Sequence, residues 1–427
     1  MVECKWGQGV AKRQFRKVRC RAIMAVACLL AIGCQPSTPK APTATSPTTG
    51  SPNGTAESPA APPPNTPPGV DRPSESAAKS QSLEQLQQQA LNELEKGELE
   101  PAWKTVQQAL LRSPSDLQTQ FIAARILHAR GKIQEAIALL DQVPIDSPQG
   151  GLAALGQAAE WEAASGRLRQ AEARLRKLLE LAPQATPAHR LMVRILNVQG
   201  RRWESRSHLY ALIEAGDFTQ DEVAMLIDFA EPFGEKAFSD VARKVAPDDP
   251  LVQLGAVRSM LYKNRYDEAL PALQSIVARE KEMLEPWVWL GHVLVSQEKF
   301  DQLPSWLAAA PPGHLKHPQF WTIRGRWCEL ERQIPEAAKC YAQALQQDPR
   351  HLAATARLAE CLTEMGEVEL AEPVRKRSFQ LAQMSSIAQD VIRGSGPPDG
   401  LQRLESGYQE LNDPYMAFAW ASLRAFR

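Results

Sequence analysis

The sequence has no apolar run able to cross a bilayer. The stretch at 22–32 is eleven residues long, against the roughly 20 that a spanning helix needs. It has no surplus of either charge, with 49 Lys+Arg against 49 Asp+Glu, and that balance is uneven along the chain. Residues 1–34 hold seven basic residues and a single acid, Glu3, so the rest is mildly acidic. A body without a basic face is unsuited to nucleic acid, whose binding draws on phosphate neutralisation and counterion release. Cysteine is scarce beyond residue 34. Cys328, Cys340 and Cys361 are an odd number without C-x-x-C spacing, which indicates neither a disulfide framework nor a zinc site, and core-filling thiols are expected. There is no Gly-rich phosphate loop, no G-x-S-x-G elbow and no H-E-x-x-H. The seven histidines are scattered, apart from His314 and His317, which have no flanking carboxylate to complete a metal centre. The sequence therefore predicts no catalytic residue, no metal, no cofactor and no small-molecule substrate.

What is present begins with KRQFRKVRCR at 12–21, then the apolar stretch, then Gly33-Cys34. A basic start, a short apolar middle and small residues before a cut read as an export signal over 1–33. Leu30-Ala31-Ile32-Gly33-Cys34 resembles a bacterial lipobox, although Ala31 stands where that family prefers Leu. The resemblance implies cleavage before Cys34 and a diacylglyceryl group on its thiol. Ala25-Val26-Ala27-Cys28 is a rival with too few apolar residues before it. An ordinary cleaved signal with Cys34 incidental, or an uncleaved membrane anchor, is an open alternative, and Lys12-Arg13-Gln14-Phe15 faintly resembles a twin-arginine motif. Residues 35–80 carry twelve of the 33 prolines among Ser, Thr, Ala and Gly, so 34–80 is expected to be a disordered tether between membrane and body. Under the sorting logic of lipoproteins, Gln35 favours the outer membrane.

From Leu83 the chain repeats with a period near 34 residues, with repeats starting at 83, 117, 152, 186, 250, 284, 318 and 352. Position 20 is Ala102, Ala136, Ala171, Ser205, Ala269, Leu303, Ala337 and Ala371, and position 8 is Ala90, Ala124, Ala159, Val193, Val257, Gly291, Gly325 and Ala359. These are the places where two helices of one hairpin cross. Position 15 is Gly97, Gly131, Gly166, Gly200 and Gly366, suited to the left-handed residue that ends a helix. Pro114, Pro148, Pro183 and Pro349 at position 32 stop the second helix.

This pattern resembles the tetratricopeptide repeat, most visibly in Trp287, Leu290 and Gly291 of one first helix and in Pro335-Glu336-Ala337, Tyr341, Ala344 and Pro349 of one second helix. The resemblance implies an all-α fold, an α-solenoid of helical hairpins with about eight clear repeats. The array is read as 81–216 and 250–385, with a degenerate hairpin at 217–249 and an atypical C-terminal repeat at 386–427. Five of the ten tryptophans crowd into 287–327 and are expected in the core rather than as a carbohydrate platform.

Stacked hairpins line a concave groove with their first helices. Position 9 on that face reads Leu91, Arg125, Glu160, Arg194, Arg258, His292, Arg326 and Glu360, with Arg190 nearby at position 5. Arg125, Arg190, Arg194, Arg258, His292 and Arg326 are the candidate groove residues. They are either solvated charges balanced by neighbouring acids or a basic ladder for an acidic or C-terminal peptide. The Asn at position 9 that a chaperone-tail clamp requires is absent. The expected function is a non-catalytic protein-binding scaffold or assembly factor at a bacterial envelope membrane; the alternative is a docking or regulatory subunit for a separate enzyme. The aromatic segment around Tyr415, Phe418 and Trp420 is a second candidate docking face.

Overall fold

The computed structural model describes residues 81–148, 150–227 and 236–425; the expected export signal, Cys34 and the expected tether lie outside the described residues. Among the described residues there are twenty α-helices and no strand, and the chain is an all-α solenoid of helical hairpins. Four hairpins come first: α1 (Leu83–Glu95) with α2 (Leu99–Arg112), α3 (Leu117–Ala129) with α4 (Ile133–Leu140), α5 (Gly151–Ala164) with α6 (Leu168–Leu181), and α7 (Thr186–Val198) with α8 (Arg206–Ala215). Two short helices follow, α9 (Gln220–Ala224) and α10 (Lys236–Val245). The array resumes with α11 (Pro250–Tyr262) and α12 (Tyr266–Arg279), α13 (Leu284–Ser296) and α14 (Leu303–Ala308), α15 (Pro318–Leu330) and α16 (Ile334–Gln347), and α17 (Leu352–Glu364) and α18 (Val368–Ile392). A last hairpin joins α19 (Gly400–Glu410) to α20 (Pro414–Ala425).

Small residues set the crossings. Ala90, Ala102, Ala136, Ala171, Ala269, Ala337 and Ala371 are all 0% exposed, because a larger side chain would separate the two axes. Where position 8 is glycine, an aromatic ring fills the space. A Cβ on Gly291 would lie 2.3 Å from Trp306, and one on Gly325 would lie 2.7 Å from Tyr341. Trp306 stacks on Trp287 with centroids 4.3 Å apart. Each indole Nε1–H donates to the other's carbonyl, at 2.9 and 2.8 Å, so two buried polar groups are satisfied at once.

The residue ending each first helix is left-handed in all eight repeats. Gly97, Gly131, Gly166, Gly200 and Gly366 have φ between 70° and 81°, and Asn264, Glu298 and Arg332 take the same turn at 55° to 61°. The hairpin geometry dictates that conformation, and glycine is its least strained occupant.

The interrupted region is a junction. Helix α11 lies directly on the end of α7, where a Cβ on Gly255 would sit 1.9 Å from the Val198 carbonyl oxygen. On one side, Phe238 and Ala242 of α10 bury with Leu168, Leu175 and Val252. On the other, Leu209, Leu212, Ile213, Val223 and Leu226 share one core with Leu381, Met384, Ile387, Leu404 and Trp420. The far half of α18 and the last hairpin thus fold back onto α8 and α9, and the second half of the array closes into a ring. Polar links reinforce the closure: Tyr415 donates its hydroxyl to Glu214 at 3.1 Å, and the Gln220 amide donates to the Val391 carbonyl at 3.1 Å. The C-terminal aromatic face is consequently mostly closed, with Tyr415, 45% exposed, its open member. Trp420 is 0% exposed, and Phe418 packs against the same core.

Candidate functional site

The first helices α11, α13, α15 and α17, with the α7–α8 turn and helices α18 and α19, surround a cavity of about 500 Å³. Trp203, Arg258, Trp289, His292, His317, Gln319, Arg350 and Tyr408 are in its wall. A second hollow of about 390 Å³ adjoins it, sharing His292, Gln319 and Ala353, and adds Thr322, Arg326, Tyr341 and Arg357. Together they form one groove along successive first helices.

A buried carboxylate organises the inner wall. Glu285 accepts the Trp203 backbone N–H and the Trp289 indole N–H, both at 2.7 Å. Burial pushes its carboxyl up from the ordinary range, against the pull of Arg258. Arg258 is only 2% exposed and lies flat on Trp289, with the guanidinium carbon 3.4 Å from the ring centroid. Gly200 leaves room for its stem, since a Cβ there would meet Arg258 Cγ at 2.5 Å.

Two histidines cap helices 34 residues apart. His317 Nδ1 accepts the Gln319 N–H, and His351 Nδ1 accepts the Ala354 N–H, each at 3.2 Å. They occupy the N-cap place that Asp116 and Asp249 hold in other repeats. The Gln319 side chain then bridges two rings, with its Oε1 3.2 Å from His351 Nε2 and its Nε2 3.5 Å from His292 Nδ1. Burial, reinforced by Arg258, lowers His292 to about 4; burial, His351, Arg258 and Arg206 lower His317 to about 3. Both rings are therefore neutral at neutral pH.

Arg350 fixes the rear of the cavity. It donates to the Tyr210 hydroxyl of α8, lies 3.8 Å from Asp348, and reaches 3.4 Å from Asp413 beyond α19. Arg206 stacks on Trp203, 3.7 Å from its centroid.

Of the six sequence-predicted groove residues, the groove collects Arg258, His292 and Arg326. It does not collect Arg125, which is exposed on α3. Nor does it collect Arg190, tied to Asp217 at 2.8 Å and Glu222 at 2.7 Å, or Arg194, whose guanidinium lies 4.9 Å from the Phe238 centroid. The six do not form one open row. Arg258 is a buried, stacked cation rather than an exposed rung, and Arg326 pairs with Glu329 at 2.6 Å. His314 packs edge-on against Phe320 of the tryptophan-rich core, at 4.9 Å between centroids. Among the described residues, no three His, Cys, Asp or Glu side chains are grouped to hold a metal, and no helix is long and apolar enough to cross a membrane. Sequence reasoning missed Trp203, Gln319, Arg350 and His351; the spacing of His317 and His351 by one repeat was the available signal.

A tetratricopeptide-repeat family model matches residues 88–150, and a second matches residues 330–376. The chain carries tetratricopeptide repeats. Arrays of this kind are interaction scaffolds for protein partners, and the fold is typically non-catalytic. Among solved structures the chain is similar to a tetratricopeptide-repeat protein from Parabacteroides merdae, at 14% identity over 66% of this chain and 98% of that one, with a TM-score of 0.27. It is similar to the APC/C hetero-tetramer Cut9–Hcn1, at 13% identity over 81% and 80%, TM-score 0.31. It is also similar to the human IFIT1 dimer with PPP-AAAA, at 14% identity over 82% and 92%, TM-score 0.29. No curated protein matches the chain.

Proposed function

We propose that this protein is an exported scaffold or assembly factor, held at a bacterial envelope membrane, outer rather than inner, by a lipid on Cys34. Its tetratricopeptide array would receive a partly acidic segment of a partner protein in the groove. The signal at 1–33, the lipobox-like Leu30–Cys34 and the proline-rich tether support the anchoring. The observation that carries the binding is the groove itself, built by four successive first helices and holding Arg258, His292 and Arg326 on one face. Arg326 and Arg357, 42% and 41% exposed, are its accessible cations. The exposed Arg357–Glu360 pair leaves room for exchange, because such pairs hold by only ~0–1 kcal/mol, whereas Arg326 is held more firmly by the mostly buried Glu329.

The test is capture of partners from detergent-solubilised envelopes, with the full chain as bait. Arg326→Glu with Arg357→Glu should lose the captured protein, and capture by wild type should weaken with added salt. Lys104→Glu with Lys177→Glu, exposed on second helices α2 and α6, should keep it. Equal capture by the groove double variant, or equal loss by the control, would sink the groove as the docking surface.

A further inference from the structure

We propose that the central cavity seats an uncharged aromatic side chain, a tyrosine-like ring presented by the partner, and that acidic groups bind only outside it. This rests on the groove reading above and assigns the chemistry of its innermost part. The first argument is size. A cavity of about 500 Å³ falls within the ~300–1,000 Å³ of pockets that enclose small organic groups. Because α18 to α20 close the ring, the groove has a floor there, with Leu381 and Tyr408 in it.

The second argument is the character of the wall. Trp203, Tyr266, Trp289, Leu261 and Leu352 line it with aromatic and aliphatic groups, surfaces that favour an aromatic guest through area burial and edge or offset contacts.

Charge decides against a carboxylate. Both arginines in the wall already face aromatic or anionic neighbours. Arg258 covers the face of Trp289, and Arg350 is held by Tyr210, Asp348 and Asp413. The Asp348 side chain is itself in the wall. His292 and His317, both lowered by burial to about 4 and about 3, carry no charge at neutral pH. An entering anion would lose its water and meet arginines whose charge is already balanced by Asp348, Asp413 and the buried Glu285, with the Asp348 carboxylate repelling it from the wall, which is unfavourable. A phenol brings an apolar ring for the aromatic wall and one hydroxyl for the His351–Gln319–His292 chain, whose amide and imidazoles can donate or accept.

The test is equilibrium dialysis of the full chain against p-cresol, the tyrosine side-chain analogue, and against propionate, a carboxylate probe. One saturable p-cresol site per chain is expected, with no saturable propionate binding. Ala353→Trp fills the mouth from an exposed position, and Ser385→Leu fills the floor from a half-buried one. Each should weaken p-cresol at least tenfold while circular dichroism shows an intact helical fold; if one variant fails to fold, the other decides. No saturable p-cresol binding by wild type, unchanged binding in a folded variant, or propionate competing for the same site would overturn the proposal. If p-cresol behaves as expected while groove charge reversal leaves partner capture intact, the groove reading falls and the pocket assignment stands.

Discussion

The Arg350 guanidinium donates to the hydroxyl of Tyr210 across 140 residues of chain. Tyr210 stands on α8, before the interrupted repeat, and Arg350 stands in the turn into α17, just before its N-cap His351. A simple solenoid would not bring them together, since its hairpins touch only their neighbours. Here the same cation also approaches Asp413, in the turn of the last hairpin, so one buried charge joins three separate parts of the ring.

Cutting this link should loosen two distant segments at once. Tyr210→Phe removes one hydrogen bond to a cation and should cost about 1–2 kcal/mol. Arg350→Met leaves Asp348 and Asp413 without their cation and should cost about 3–5 kcal/mol. Hydrogen exchange should rise together in α8 and in α19–α20, with α1 to α4 unchanged. Exchange confined to one of the two segments would contradict a closed ring.

The crossings give a contrast between the two halves. Ala136→Leu and Ala337→Leu each place a larger side chain at a site with 0% exposure, and overpacking of this kind costs ~1–3 kcal/mol. Ala136 belongs to the open run of hairpins, so its damage should stay in α3, α4 and their neighbours. Ala337 belongs to the ring, so its damage should extend to α18–α20. Unchanged thermal unfolding in both variants would count against the crossings described above.

The hairpins were legible because helix crossing tolerates few side chains: the alanines and glycines at positions 8 and 20 announce themselves every 34 residues. Ring closure was not legible, because nothing periodic marks it. Leu209, Val223, Leu381 and Trp420 meet through long-range packing, and each alone reads as an ordinary apolar residue. The groove was legible in part. Position 9 located Arg258, His292 and Arg326, yet position alone does not reveal that Arg190 is held by Asp217 and Glu222 or that Arg258 is buried on Trp289. At positions 15 of three repeats the sequence hid the turn, because Asn264, Glu298 and Arg332 adopt the conformation that glycine advertises elsewhere.

The proposed anchoring through Cys34 has a direct test. Cys34→Ala should abolish incorporation of labelled fatty acid, and the protein should either appear in the soluble fraction or accumulate unprocessed. A variant that labels and fractionates like wild type would remove the lipid from the account.

Acid should weaken the fold well above the range where carboxylates titrate. The folded protein holds three imidazoles below their ordinary value of about 6.5. Burial, His189 and Arg176 lower His208 to about 4; burial and Arg258 lower His292 to about 4; burial and its charged neighbours lower His317 to about 3. Between pH 6.5 and these values the unfolded chain binds more protons than the folded one, so stability falls as pH falls. For His317, which is 3% exposed, the loss between pH 7 and pH 5 should approach ~2 kcal/mol, at 1.36 kcal/mol per unit. His208 and His292 are more accessible and should contribute less each. Glu285, whose carboxyl is raised, acts in the opposite direction as it takes up a proton in the fold. The lowered carboxyls of Glu172, Asp217 and Asp249 add to the loss only at lower pH. Denaturant unfolding at pH 7 and pH 5 should therefore show a lower midpoint at pH 5. His317→Asn is the informative variant, because asparagine is a competent N-cap and carries no titrating ring. It should fold and lose a measurable part of the pH dependence. A midpoint that does not fall at pH 5, or a His317→Asn variant with the full wild-type slope, would show that these rings are not held neutral by the fold.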